Sequence, residues 1–388
     1  MKRIGFLCYD LQEFTTDCLN RIQDSIKLRL KAYPLFSRID SSPKHFEYRT
    51  TKRRGVFFSV KRAGVVPEGF PLGLDISLAW SCVRQNDIVV LFGLQGATAL
   101  AAAVLARLMG RTLISVNQTM ATEWEARRSW WVRLLKKFLL KICHQHIYQT
   151  SATKRTLEII YGLNPNKFHY APFEAGAEVF ESLINNQPCF RYSPDKKTRF
   201  LFVGTLLRYK GIPEIIKACH QLMEQKESFH LRIIGPAPQQ KDEFTLRYYK
   251  DQIKNQGLNR YIKIVGPCPL QKLPKNYYWS DVLLLPTYRD MWPKVLVEAA
   301  LCERPSITTE ACGAAGELVI QGKTGWVIKP GNVDELITAM KFVIKNKNKA
   351  IKMGKAARIN CLKLCNPKKE VKGYVSAINA VMRPPNLT

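Results

Sequence analysis

Two acids, Asp290 and Glu298, stand with seven residues between them, the first in a loop and the second inside the helix expected to follow. Upstream, two cations lie in the segment Gly204-Thr-Leu-Leu-Arg208-Tyr-Lys210-Gly211, directly after the apolar run 199–203. A carboxylate can accept hydrogen bonds from a pair of hydroxyls, and fixed cations beside a helix N-terminus suit an anion. Solvated helix faces supply many acid pairs at this spacing, and loop cations are common, so the setting must carry the argument. Residues 281–285 form a short aliphatic run ending in Pro286, the pattern of a strand buried on both faces. A loop, 287–292, then opens a helix at Pro293, a residue suited to a first helical position. A second strand (306–309), a small-residue loop (312–316), a short helix from Glu317 and a third strand (326–329) follow. This alternation predicts a parallel sheet with ligand loops at its carboxyl edge.

The remaining chain supplies the elements that would position these residues. A first parallel strand is expected at 2–8, and a helix over 14–30, where Phe14, Cys18, Ile22, Ile26 and Leu30 fall four apart. Strands at 87–92 and 112–116 flank an alanine-rich helix, 97–109. Short strands at 146–149 and 168–171 surround a helix at 153–161. Residues 187–197 are polar with two prolines and read as a linker. The strand at 199–203 opens a second series, continued by strands at 231–234 and 262–265, each followed by Gly-Pro. Helices at 333–344 and 351–364 close it. The expected organisation is a first domain over 1–185, a linker over 186–198, a second domain over 199–365, and a last helix and tail, 366–388, returning to the first domain.

At 388 residues the chain exceeds what a single core usually holds. Its 60 Lys+Arg against 31 Asp+Glu, net +29, predict attraction to an anionic surface. The eleven cysteines include no C-x-x-C pair, which favours free thiols in a reducing compartment over disulfides or a zinc site. The apolar run at the N-terminus is too short for a signal peptide. Residues 88–106 are mostly apolar, but Gly93, Gln95, Gly96 and Thr98 interrupt them, so a strand, turn and packed helix explain them better than a membrane span.

The acidic-x7-acidic spacing, with Trp292 two residues after Asp290 and Gly313-Ala314-Ala315 after the next strand, resembles the signature of family 4 (group 1) glycosyltransferases. The matching sub-pattern has Asp in place of the first Glu. The resemblance implies the α/β GT-B fold: two Rossmann-like domains with parallel sheets facing across a cleft. It implies a retaining hexosyl transfer from a UDP- or GDP-sugar to a hydroxyl of a glycan or lipid-linked acceptor, with no metal or other cofactor. The expected setting is capsule, exopolysaccharide or lipopolysaccharide synthesis.

Carried over residue by residue, the resemblance makes Glu298 the acceptor for the donor ribose hydroxyls and Asp290 the holder of the transferred sugar. Arg208 and Lys210 would neutralise the departing diphosphate, which gathers negative charge as the glycosidic bond lengthens. Gly204 and Thr205 begin the diphosphate loop; Thr205 stands where the family usually has its arginine. Gly266, Pro267 and Cys268 would wall the nucleobase. Backbone N–H groups near Trp292 and at Gly313, Ala314 and Ala315 would cradle sugar and phosphates. Pro293 replaces a usual glycine, leaving the Lys294 N–H and side chain to compensate. Asn117 stands near the position of a family histidine on the acceptor side.

Residues 124–141 read WEARRSWWVRLLKKFLLK, a basic amphipathic helix with tryptophans at one end. This is the composition of an interfacial anchor, with Trp130, Trp131, Arg133, Lys136 and Lys137 as contacts for an anionic membrane surface. A helix packing its apolar face on the sheet is the competing reading. The basic, aromatic segment 49–62 reads as a solvated hairpin or edge strand, with membrane contact the alternative. The expected location is cytoplasmic, peripheral to the inner face of a membrane. Two other functions stay open: a degenerate, non-catalytic nucleotide-sugar-binding module, and a nucleic-acid binder. For the second no recognised module is present, and no nucleic acid is expected as a partner.

Overall fold

The computed structural model describes residues 2–8, 13–26, 28–34, 47–48, 56–59, 71–93, 97–118, 129–185, 197–237 and 246–382. Two compact units divide the chain: Met1–Phe173 with Pro367–Thr388, and Glu174–Asn366.

Strands β1 (Arg3–Cys8), β2 (Arg29–Pro34), β3 (Glu47–Tyr48), β4 (Val56–Ser59), β5 (Pro71–Leu74), β6 (Ile88–Phe92), β7 (Thr112–Asn117), β8 (Gln145–Tyr148) and β9 (Phe168–Tyr170) belong to the first unit. Seven of them form a parallel sheet in the order β3-β2-β1-β6-β7-β8-β9, while β4 and β5 pair as a separate antiparallel ribbon. Alternate side chains on each strand enter opposite layers. Ile4, Phe6, Val90, Ile114, Val116 and Ile147 pack against helices Glu13–Ser25 and Pro367–Met382. Leu7, Val89, Leu91 and Leu113 pack against helices Ile76–Gln85, Ala97–Leu108 and Trp130–Ile142. Each fully buried aliphatic side chain in these layers stabilises the fold by about 1.5–3 kcal/mol.

The helix expected over 14–30 stops at Ser25, and Leu30 lies in β2. Its apparent helical spacing is coincidental: the Gln23 amide donates to the Leu28 carbonyl at 2.7 Å, and its oxygen accepts from Leu30 N–H at 2.8 Å. One side chain thus turns the chain from helix into strand. In the segment 49–62, β4 is described, whereas the basic residues 52–54, 61 and 62 lie outside the described residues.

The second unit holds β10 (Thr198–Val203), β11 (Phe229–Ile234), β12 (Ile262–Gly266), β13 (Val282–Leu285), β14 (Ser306–Thr309) and β15 (Gly325–Ile328). They form a parallel sheet in the order β12-β11-β10-β13-β14-β15. The order reverses between β10 and β13, so the loops after these two strands share a topological switch point, where open α/β sheets bind ligands.

Three expectations are corrected here. Helix Ala177–Asn185, assigned to a first domain ending at 185, belongs to the second unit: Phe180 sits edge-on to Tyr277 at 5.8 Å and Glu181 pairs with Arg358 at 2.9 Å. The units therefore divide at Phe173 and Glu174, ahead of the 186–198 stretch read as the linker, of which 186–196 lie outside the described residues. No helix starts at Glu317; turns occupy this stretch, with the Ala314 carbonyl accepting from Leu318 and Val319 N–H at 3.0 and 3.1 Å. Pro293 (φ −69°, ψ 122°) is extended and precedes helix Lys294–Leu301, its carbonyl accepting from Leu296 N–H. Among the described residues no helix is long and apolar enough to cross a membrane.

Candidate active site

The loops that meet at the switch point bring Lys210 and Asp290 together. After β10, Arg208–Lys210 form one 3-10 turn that ends at Gly211, which leads into helix Ile212–Glu224. Gly211 has φ +82°, and a Cβ there would lie 2.1 Å from the Pro286 carbonyl oxygen. Only glycine allows the loop after β10 to press against the end of β13. The Tyr209 carbonyl then accepts from Tyr288 N–H at 2.7 Å and from the Thr287 hydroxyl at 3.0 Å, joining the two loops. This stitching sets the Lys210 ammonium 2.5 Å from Asp290 Oδ2, with the two side chains 17% and 16% exposed. Residues eighty positions apart thus form a charge-assisted pair.

The loop after β14 joins the same cluster. Asp290 N–H donates to the Ala311 carbonyl at 3.3 Å, and Gly313 N–H donates to the Asp290 carbonyl at 2.8 Å. A Cβ on Gly313 would sit 1.9 Å from the Met291 carbonyl oxygen, so the closeness of these loops depends on that glycine. The same bonds correct one expectation. Gly313 N–H points to Asp290, and Ala315 N–H donates to the Cys312 carbonyl at 3.0 Å, while Ala314 is buried. The Gly313 N–H joins the two loops, and the Ala315 N–H closes a turn within its own loop, so both are already engaged within the protein. The Trp292 indole N–H is buried and has no partner among the described residues.

Glu298 lies in helix Lys294–Leu301 with 9% exposure. Its Oε2 accepts from the Tyr277 hydroxyl at 2.6 Å. Burial raises the Glu298 carboxyl above the ordinary range, against the opposing pull of that hydrogen bond and of Lys294. Burial, then Glu298 and the thiols of Cys302 and Cys268, push the Tyr277 hydroxyl well above its usual value. The Asn276 amide, next to Tyr277 in its helix, approaches the Cys268 sulfur at 3.7 Å. Gly266 closes β12, and Pro267 beside it is exposed. Gly204 N–H donates to the Ile234 carbonyl and Gly235 N–H to the Gly266 carbonyl, both at 2.9 Å, so the three strand ends abut. Thr205 is half-buried, with its carbonyl accepting from Leu207 N–H at 2.7 Å; Arg208 and Lys294 are exposed.

Tyr277 escaped the sequence reading. The available signal was a tyrosine on the buried side of a short helix, since a buried hydroxyl needs a partner. Glu214 was missed in the same way: one carboxylate oxygen accepts from the Tyr288 hydroxyl at 2.8 Å, and the other is buried with no partner among the described residues.

Two sets of candidates belong to the first unit. Asn117 is the last residue of β7, 4% exposed, and not a loop residue beyond the strand. Its amide N–H₂ donates to Ser115 Oγ at 2.9 Å and the Ile147 carbonyl at 3.3 Å, so it braces β7 against β8. Only its oxygen remains for a sugar hydroxyl. On helix Trp130–Ile142, Trp130 and Trp131 are exposed (71% and 57%), together with Leu134, Leu135 and Phe138. Arg133 and Lys137 are half-buried. Lys136 departs from the expected membrane contact: it is 6% exposed, with its ammonium over the Tyr161 ring at 5.3 Å. Residues 124–128 of the expected helix lie outside the described residues. Among the described residues, no group of three or more His, Cys, Asp or Glu is arranged to hold a metal ion.

Residues 190–360 match the family model described as Glycosyl transferases group 1. A D-inositol 3-phosphate glycosyltransferase of Corynebacterium aurimucosum is 26% identical over 156 residues, 40% of this chain and 37% of that protein. The chain spans about a third to a half of the length of the curated relatives it matches. Among solved structures, Anabaena Alr3699/HepE in complex with UDP and glucose superposes with a TM-score of 0.67 at 16% identity, covering 98% of this chain and 100% of that one. The apo lipopolysaccharide outer core galactosyltransferase WaaB gives 0.70 at 15% identity, covering 98% and 99%. The chain thus has the α/β fold of GT-B glycosyltransferases, and most of its second unit is similar to the group 1 glycosyl transferase family model.

Proposed function

We propose that the protein is a retaining, nucleotide-sugar-dependent glycosyltransferase that moves a hexose to a hydroxyl of a glycan or lipid-linked acceptor. The observation that carries this reading is the Lys210–Asp290 pair at the switch point, in the same domain as the buried Glu298. In this reading Glu298 accepts from the donor ribose hydroxyls and Asp290 from hydroxyls of the hexose. Lys210 and Arg208 meet the β-phosphate, supplying positive charge where the leaving group accumulates negative charge, so the reading requires no metal. The bond from the anomeric carbon to the phosphate oxygen breaks. The acceptor oxygen approaches from the same face, and its proton passes to the departing phosphate, which needs no enzymic base.

UDP is the favoured nucleotide because HepE binds it, with GDP the alternative. A place in cell-surface polysaccharide synthesis takes support from the likeness to WaaB. Net charge +29 and the exposed tryptophan-bearing helix support peripheral contact with an anionic membrane, where a lipid-linked acceptor would be found. The test is a metal-free thermal-shift titration of wild type and Glu298→Ala with UDP and GDP. A ligand bound only by the folded state raises its apparent stability. One nucleotide should stabilise wild type and not the variant; stabilisation of both alike, or of neither at millimolar nucleotide, would overturn the reading.

A further inference from the structure

The Tyr277–Glu298 contact extends the donor-site reading, on which this inference rests. Tyr277 is fully buried, and its hydroxyl gives Glu298 Oε2 a short bond of 2.6 Å. Among the described residues, Oε1 of the same carboxylate accepts no side-chain hydrogen bond. One oxygen is therefore fixed, and the other keeps its acceptor capacity.

The tyrosine is itself held. Its ring meets Phe180 edge-on at 5.8 Å. The buried Arg304 donates from Nε to the Tyr277 carbonyl and from a terminal nitrogen to the Tyr278 carbonyl, both at 3.1 Å. Arg304 N–H also bonds the Ala299 carbonyl at 2.8 Å, next to Glu298 in its helix. A single arginine thus ties the end of helix Leu273–Trp279, which carries Tyr277, to the helix that carries Glu298. The hydroxyl is thereby held in place on both its ring side and its backbone side.

We infer that Tyr277 is a positioning residue for nucleotide ribose: it fixes Oε2 of Glu298 so that Oε1 accepts from the 2′,3′-diol. A carboxylate oxygen has acceptor capacity for two donors, and adjacent hydroxyls on one ring can supply both. An unanchored glutamate would lose side-chain freedom on binding; an anchored one has already lost it. Tyr277 touches no substrate atom in this account and acts only through Glu298.

The test uses the full chain with UDP and GDP and their 2′,3′-dideoxy counterparts, titrated by calorimetry into wild type, Tyr277→Phe, Glu298→Gln and the double variant. Phenylalanine keeps the ring and its contact with Phe180 while removing the hydroxyl. The preference of wild type for the ribonucleotide should fall about three- to tenfold in Tyr277→Phe, with dideoxynucleotide affinity unchanged. In the Glu298→Gln background, loss of the hydroxyl should change nothing further. An equal loss for both nucleotides, or an unchanged preference, would make Tyr277 a structural brace and overturn the inference. A second readout does not depend on the variant folding: in wild type carrying 3-fluorotyrosine, the fluorine resonance of residue 277 should move with UDP and not with dideoxy-UDP. The same shift with both would again overturn the inference. Wild type that binds neither UDP nor GDP would defeat the donor-site reading and this inference with it. Wild type that binds one without distinguishing its dideoxy form would defeat this inference alone.

Discussion

The loops at the carboxyl edge of the second sheet are tied to one another, whereas helix Trp130–Ile142 of the first unit turns large apolar side chains to solvent. In the loops, Tyr209 joins Tyr288 and Thr287, Lys210 joins Asp290, and Gly313 joins Asp290 again. These groups find partners within the protein, and the Lys210–Asp290 charges are paired before any ligand arrives. On the helix, only Lys136, Leu139 and Leu140 are buried, while Trp130, Trp131, Leu134, Leu135 and Phe138 face outward. The first arrangement suits a small anionic ligand met by fixed groups. The second suits a broad surface into which rings can insert.

Disrupting the first region should have the largest effect. Gly211→Ala places a methyl group against the Pro286 carbonyl at a positive φ, so it should cost about 2–4 kcal/mol, read as a lower denaturation midpoint in urea. An unchanged midpoint would mean that the loops are not locked as described. The second region should respond differently. Trp130→Ser with Phe138→Ser should lower partitioning onto vesicles containing anionic lipid by about tenfold or more per ring, with little change in stability. Binding should also weaken as salt rises. Equal partitioning by variant and wild type would remove the helix from membrane contact. Lys136→Ser would sharpen the contrast: being buried over Tyr161, it should reduce stability and leave partitioning nearly unchanged.

The same contrast explains what the sequence revealed. The second sheet was legible because strands such as Val282–Leu285 are continuous aliphatic runs closed by glycine or proline. Lys210 and Asp290 were legible from their places at strand ends, but their direct pairing was not, since nothing in a sequence measures a contact across eighty positions. Tyr277 and Arg304 stayed hidden because their roles lie in hydrogen bonds from buried side chains. Helix Trp130–Ile142 misled in detail: composition marked every lysine as a surface charge, yet Lys136 falls on the side that meets the core. In the first unit, β2 was overlooked because Ile26 and Leu30 continue a helical spacing that the Gln23 side chain interrupts.

Lys210 and Asp290 hold each other in the free protein, and in the proposed function the first serves the diphosphate and the second the sugar. Metal-free calorimetry with UDP and GDP on wild type, Lys210→Met and Asp290→Asn tests it most directly. Lys210→Met should weaken the preferred nucleotide about tenfold or more, through loss of a charge-assisted contact. Asp290→Asn should bind it as tightly as wild type or up to several-fold more tightly, because Lys210 is released from its counter-ion. Equal losses in both variants, or no effect of Lys210→Met, would contradict the account.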